Sequence, residues 1–268
     1  MLLTAILIGT LLAGIGSVWL AAVLSFGVLA RYTQHMLSLA AGALLATAFM
    51  HLLPEAFESQ AGAQDLFMTL LGGLVFFFLL DKAELWHHGH EHHHGHDHDH
   101  SHSHGHSHGH SHGRAQAPVA GTWAVLTGDS VHCFGDGVLI ASAFVADLRL
   151  GVIAALAVLA HEVPHHMGDL MVLRQSSSNR QAALLKVSLA GAVTMLGGLL
   201  GYWLVDQLHD YLPYFLVVAS SSFAYVALAD LIPQLQKQLS ARQTAAQIIW
   251  LFTGMGLVTL VSGLAHGH

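Results

Sequence analysis

Eight apolar runs, each long enough to cross a bilayer, constrain this 268-residue chain more than anything else in it. They fall at 2–30, 36–57, 66–86, 122–146, 150–173, 183–205, 213–235 and 248–264. At a rise of about 1.5 Å per residue, roughly 20 residues span a hydrocarbon core of about 30 Å. Inside that core a lone segment must satisfy its own backbone hydrogen bonds, which a helix does. The expected fold is an all-α integral membrane protein with eight transmembrane helices in one bundle. Charged residues are 9% of the chain, against about 25% in soluble domains. Little length is left for a soluble domain, so 1–268 reads as a single transmembrane domain. The first run lacks the basic start and clear cleavage site of a signal peptide and is read as a helix.

Basic residues set the orientation, because cytoplasmic connections carry the excess of Lys and Arg. Arg31, Lys82, Arg114, Arg174, Arg180, Lys186, Lys237 and Arg242 fall on one side and Arg149 alone on the other. That bias places both termini outside. A net charge of −7 with nine basic residues argues against nucleic acid as a partner. A single cysteine, Cys133, excludes an intrachain disulfide and any multi-cysteine zinc module.

The one long connection, between the third and fourth runs, is a tract of low complexity. Residues 87–112 hold 15 of the chain's 24 histidines, alternating with Gly, Ser and Asp. With almost nothing apolar to bury, residues 87–118 are expected to be a disordered cytosolic loop. Its imidazoles, beginning with His87, His88, His90, His92, His93 and His94, suit a weak, multivalent metal buffer. A solvated spacer is the plainer reading of the same composition.

Elsewhere histidines sit inside the apolar runs beside acids, where ionisable groups are costly and mark function. In the fifth run His161-Glu162-Val163-Pro164-His165 puts His161 and His165 one turn apart on a helix, with Glu162 about 100° round. Asp169 follows one turn after His165. In the fourth run His132 and Asp136 pair in the same way, with Cys133 adjacent and Asp129 a turn earlier. His51 and Glu55 repeat the spacing in the second run, and Asp230 lies near the end of the seventh. Any one such residue is as readily an interhelical hydrogen bond. Several pairs together point to a metal shared between the fourth and fifth helices. Imidazole with carboxylate suits Zn2+, Fe2+, Mn2+ or Co2+, and the thiol tilts the set toward softer ions such as Cd2+.

Pro164 should kink the fifth helix beside these residues by removing one backbone hydrogen bond. Gly135, Gly137 and Gly168 flank them and would let helices approach closely, as packing alone also requires. Pro54 and Pro233 follow an acid or histidine alike in the second and seventh runs, which hints at internal symmetry.

His161 to His165 also satisfies the H-E-x-x-H pattern of a zinc metalloprotease, in which Glu162 would be a general base. Pro164 in the motif disfavours that reading, and His132 and Asp136 would close the position a catalytic zinc keeps open for water.

Taken together, these motifs resemble the ZIP (Zrt-, Irt-like protein) family of divalent metal transporters over nearly the whole chain. The branch with the HEXPHE motif is the most similar, through His161-Glu162-Val163-Pro164-His165 with Gly168-Asp169. The resemblance implies zinc uptake into the cytosol, with Fe2+, Mn2+, Cd2+ or Co2+ as further substrates. It implies a binuclear centre: His132, Asp136, His161 and His165 on one ion, and Cys133, Asp136, Glu162 and His165 on the other, Asp136 and His165 bridging. His51 and Glu55 match a pair at the ends of the pathway, with Asp129, Asp169 and Asp230 as further pathway candidates. A homodimer in a bacterial inner or cell membrane is the implied setting. Two departures stand out: Cys133 replaces the branch's Asn, and His166 replaces the final Glu of HEXPHE, a position to which no ligand role is assigned. An efflux carrier would share intramembrane His and Asp and a His-rich loop, but with about six spans and a soluble C-terminal domain.

Overall fold

A computed structural model describes residues 1–25, 33–89, 119–176, 179–235 and 240–265. Among them eight helices are long and apolar enough to cross a membrane. They are α1 (Leu2–Leu24), α2 (Thr33–Phe57), α3 (Ala63–Lys82), α4 (Leu126–Ala146), α5 (Leu148–Met171), α6 (Arg180–Gln207), α7 (His209–Leu235) and α8 (Ala241–Gly263). Each matches one apolar run of the sequence, and the protein is a multi-pass membrane protein. The backbone of α3 continues as helix to Gly89, and α4 is preceded by helix from Val119. The expected disordered loop therefore begins within helix at His87 and His88, and its remainder, 90–118, lies outside the described residues.

Local chemistry explains the ends. Asp147, the one residue between α4 and α5, accepts from the backbone N–H of Arg149 (2.8 Å) and of Leu150 (3.1 Å). Asn179 likewise accepts from Gln181 and Ala182 at the start of α6. Both satisfy first-turn donors that no carbonyl of the same helix can reach.

Packing divides the bundle. Helices α1, α4, α5 and α6 pack on one another, α2, α3, α7 and α8 on one another, and α2 against α5 joins the two sets. The α4–α6 seam is close enough that a Cβ on Gly137 would run into the Thr194 carbonyl and the Gly198 amide, and the α2–α8 seam is as close at Gly42 and Gly254. Backbones that near are how small residues drive helix association in lipid. Helices α3 and α8 form the periphery. Only 6% and 11% of their apolar windows are buried, against 67% and 61% for α2 and α5.

Three spans contain a π-helical stretch: Leu12–Gly16 in α1, Ala48–Leu52 in α2 and Val226–Leu231 in α7. In α2 and α7 the stretch ends two residues before a proline, Pro54 and Pro233. The Leu53 N–H bonds to the Ala48 carbonyl and the Ile232 N–H to the Ala227 carbonyl, five residues back in each case. The shared register gives physical form to the sequence likeness of the two runs. Pro164, by contrast, sits inside an uninterrupted helix from Leu148 to Ser176.

Candidate metal centre

Helical spacing sorts the polar residues of α4 and α5 into stripes one turn long. On α4 these are Asp129 with Cys133, and His132 with Asp136. On α5 they are His161 with His165, and Glu162 with His166. The two helices pack so that these stripes face each other.

The first group is His132, Asp136, His161 and Glu162. His161 Nε2 lies 3.3 Å from Asp136 Oδ2 and 3.1 Å from Glu162 Oε1. His132 Nε2 lies 3.2 Å from the same Glu162 oxygen, 3.3 Å from His161 Nε2 and 3.9 Å from Asp136 Oδ2. Bonds of about 2.0–2.1 Å to a tetrahedral zinc set its ligand atoms about 3.3 Å apart. Most of these separations are therefore those of a tetrahedron's edges. Asp136 Oδ2 and Glu162 Oε1 are buried without a well-directed hydrogen bond, a costly state for carboxylates in a low-dielectric interior. A divalent cation among the four resolves it. Two carboxylates cancel its charge, and two neutral imidazoles complete the shell.

The second group is Asp129, Cys133, Glu162 and His166. Here the other oxygen of Glu162, Oε2, faces His166 Nε2 at 3.1 Å. The third is Asp129, His165 and Asp169, with His165 Nδ1 3.4 Å from Asp169 and 3.7 Å from Asp129.

A cavity of about 340 Å³ reaches this centre. Asp129, His132, Asp136, His161, His165 and Asp169 all line it. Pro164 and Asp230 lie on its wall as well, with Asp230 accepting a 2.8 Å hydrogen bond from Gln234.

A family model described as "ZIP Zinc transporter" matches residues 1–262. The chain belongs to the ZIP family. Among curated ZIP relatives it is 27% identical to the zinc transporter ZIP13 of Pongo abelii, over 96% of this chain and 77% of that protein. It is 32% identical to the zinc transporter foi of Drosophila melanogaster over 52% of this chain, and 35% identical to human zinc transporter ZIP4 over 51%. The matched region is only 20% of the length of foi and 20% of that of ZIP4.

Within this ZIP bundle the structure gathers His132, Cys133, Asp136, His161, Glu162 and His165 at one place, with Asp129 and Asp169 beside them. The donor atoms group otherwise than in the binuclear arrangement implied by the resemblance. Glu162 faces both four-residue groups, whereas Asp136 belongs to one and His165 to neither. The reason is register: His165 continues the stripe of His161 but points to the cavity, 38% of its side chain exposed, one turn beyond the first group. His166, to which the resemblance gives no ligand role, stands four residues after Glu162, the same spacing as the other pairs, and joins the second group. Its side chain is fully buried.

His51 and Glu55 lie elsewhere, in a separate cavity of about 430 Å³ with Glu58, Asp147 and Arg149. Among the described residues no group of converging donors forms there. The side chains of His87 and His88, and all of His90, His92, His93 and His94, lie outside the described residues.

Proposed function

We propose that this protein carries zinc across the membrane, binding it as substrate between His132, Asp136, His161 and Glu162. The observation that carries the reading is the convergence of those four ligand atoms at near-tetrahedral spacing, with His132, Asp136 and His161 on the wall of a cavity. Its ZIP relatives are zinc transporters by name, which supports zinc over Fe2+, Mn2+, Cd2+ and Co2+. The ion sheds water into a shell of no net charge, so the desolvation penalty that excludes bare cations from a bilayer is offset. His165, Asp129 and Asp169 form the step between cavity and site. Inward transport, with both termini outside, rests on the family resemblance and the asymmetry of basic residues.

A metalloprotease is not favoured, and the structure supplies a reason beyond Pro164. The H-E-x-x-H motif needs both histidines on one ion and a free glutamate. Here His161 and His165 fall in different groups, and Glu162 is itself among the donors. The protein is accordingly proposed to be a carrier and not an enzyme.

Reconstitution into vesicles with a zinc-sensitive dye inside tests the assignment. Zinc-dependent fluorescence should rise with the parent and be lost in His132→Ala, Asp136→Ala and His161→Ala. Parental flux in all three variants would refute it.

A further inference from the structure

Three consecutive serines, Ser220-Ser221-Ser222, interrupt the apolar run of α7, and their hydroxyls do not behave alike. A serine inside an apolar helix can turn its hydroxyl back to a carbonyl one turn earlier. Ser220 does so to the Leu216 carbonyl and Ser221 to the Val217 carbonyl, each at 2.8 Å. Ser222 makes no hydrogen bond among the described residues, although it is only 4% exposed. It lines instead the cavity that reaches the α4–α5 centre.

Ser222 also lies at the depth of that centre. Helices α5 and α7 cross the bundle in the same direction, from Leu148 and from His209, and His161 and Ser222 each stand thirteen residues further on, about 20 Å along the helix. The wall of the cavity opposite the metal donors is built from α2, α3 and α7. Its other polar members lie nearer the helix ends and are engaged: Tyr225 donates to Asp81 at 3.1 Å, and Gln234 to Asp230 at 2.8 Å. Among the described residues, Ser222 is thus the polar group of the facing wall that is both level with the donors and free to bond elsewhere.

What such a hydroxyl does follows from how zinc leaves the first donor group. His132, Asp136, His161 and Glu162 fill a tetrahedral shell and leave no open position, so release is an exchange of ligands that passes through five-coordination. The incoming ligand from the cavity is water. The outgoing one is His132, whose side chain is 28% exposed, while those of Asp136, His161 and Glu162 are at most 3% exposed. In the exchange the bond from zinc to the water oxygen forms, the bond from zinc to His132 Nε2 breaks, and no proton changes hands. Water that gives a lone pair to zinc becomes more acidic and so a stronger hydrogen-bond donor. Ser222 Oγ is the acceptor on the facing wall at that depth, and its own O–H remains to donate to the next water in the cavity.

We propose that Ser222 is a positioning residue for the water that replaces His132 as zinc passes from its site into the cavity. The proposal rests on the transport reading of the first donor group. It gives α7, which packs with the other set of helices, a part in release without making it a ligand.

Dissociation kinetics and equilibrium affinity separate this role from a ligand's. The purified full chain is loaded with zinc and mixed with an excess of a fluorescent chelator. The site is the component of release that is absent in Asp136→Ala, which sets aside ions held by the histidine tract. Ser222→Ala should slow that component about 2- to 10-fold, the effect of one hydrogen bond on the barrier. Its equilibrium affinity for zinc should equal the parent's, because the bonded water exists only during exchange. Ser222→Thr, which keeps the hydroxyl, should release zinc at the parental rate. Ser220→Ala should do the same, since that hydroxyl bonds only within its own helix. Equal rates in the parent and Ser222→Ala overturn the proposal. So does a changed affinity, which would make Ser222 a ligand, or a Ser222→Thr variant as slow as Ser222→Ala, which would make the effect one of packing. Should Asp136→Ala release zinc as the parent does, the transport reading itself fails; equal rates with that component present fault Ser222 alone.

Discussion

Two cavities of this bundle contain similar side chains and differ in how those side chains are arranged. The larger, about 430 Å³, holds His51, Glu55, Glu58, Asp147 and Arg149, and the smaller, about 340 Å³, reaches the α4–α5 centre. Both have a histidine and a carboxylate four residues apart on a helix. In the smaller cavity a second helix supplies matching pairs at the same depth, and ligand atoms converge to 3.1–3.3 Å. In the larger, α2 contributes its pair on a wall shared with Asp147 and Arg149 of the α4–α5 turn, and among the described residues no second helix supplies a matching pair of donors. Residue type and spacing on one helix thus mark a polar pathway. Registration of two helices brings donor atoms to the spacing of a metal shell.

The sharpest way to break this distinction is Glu162→Gln. Glu162 presents one oxygen to each donor group, so its neutralisation leaves the first group with uncompensated positive charge when loaded. Breaking a buried charge pairing costs about 3–5 kcal/mol, roughly 150- to 5000-fold in affinity. Zinc influx at subsaturating zinc should fall by at least that factor. Glu55→Gln in the other cavity should not approach it. Equal losses in the two variants would mean that the cavities are not different in kind.

Registration itself can be attacked without touching a ligand. Gly137 is next to Asp136 in sequence, and a Cβ there meets backbone of α6, which has nowhere to move. Gly137→Ala should cost about 1–3 kcal/mol as overpacking, lower the unfolding temperature in detergent and reduce flux by spreading the α4 ligands. Gly168→Ala supplies the control on α5, since a Cβ there meets nothing within 4 Å. If the two variants melted alike, the seam would not be what holds α4 in register.

How much of this could be read from residues alone follows from the same contrast. The eight spans were legible because hydropathy and length are properties of single segments. So were the pairs His132/Asp136, His161/His165 and His51/Glu55, which need only helical periodicity. The partition of ligands was not, because it depends on which stripe of α4 meets which stripe of α5. Nothing in the composition of either helix encodes that. His166 is legible in the sequence as the fourth residue after Glu162, although the family motif has Glu at that position and implies no role for it. The π-helical stretches were invisible too. An extra residue per turn leaves no compositional mark, and only the prolines after two of them hinted at irregular backbone.

Those stretches frame a smaller prediction on the larger cavity. His51 lies within the π-helical stretch of α2, and its cavity has no converging donor group among the described residues. Its role is proposed to be attraction and hand-over of the ion. His51→Ala and Glu55→Gln should each change influx by a few-fold, through the zinc concentration needed for half-maximal rate, with the maximal rate nearly kept. Electrostatic focusing of this kind is screened by salt, so the difference from the parent should shrink as ionic strength rises. A salt-independent loss of maximal rate would instead put His51 in a binding site.

The smallest effect is expected from Asp230, and it tests whether the two ends of the pathway are equivalent. Asp230 and His51 each stand three residues before a proline inside a π-helical stretch. Helices α2 and α7 lie antiparallel, the first half of α7 against 48–57 and its π-helical stretch against 33–47 of α2. The two residues therefore sit at opposite ends of the bundle in matching backbone settings. They differ in their neighbours: Asp230 is exposed, bonded to Gln234, and shares its cavity with Asp81, Asp129, Asp136 and Asp169. With four other carboxylates on the same wall, removing one charge changes the local potential modestly. Asp230→Asn should lower influx by no more than about two-fold, the effect of an exposed charge interaction of about 0.4 kcal/mol, inside the usual range of about 0.2–1 kcal/mol. The double variant with His51→Ala should be additive, because residues this far apart share no partner. Non-additive loss would show that the two π-helical stretches move together during transport, joining the ends that the static structure keeps separate.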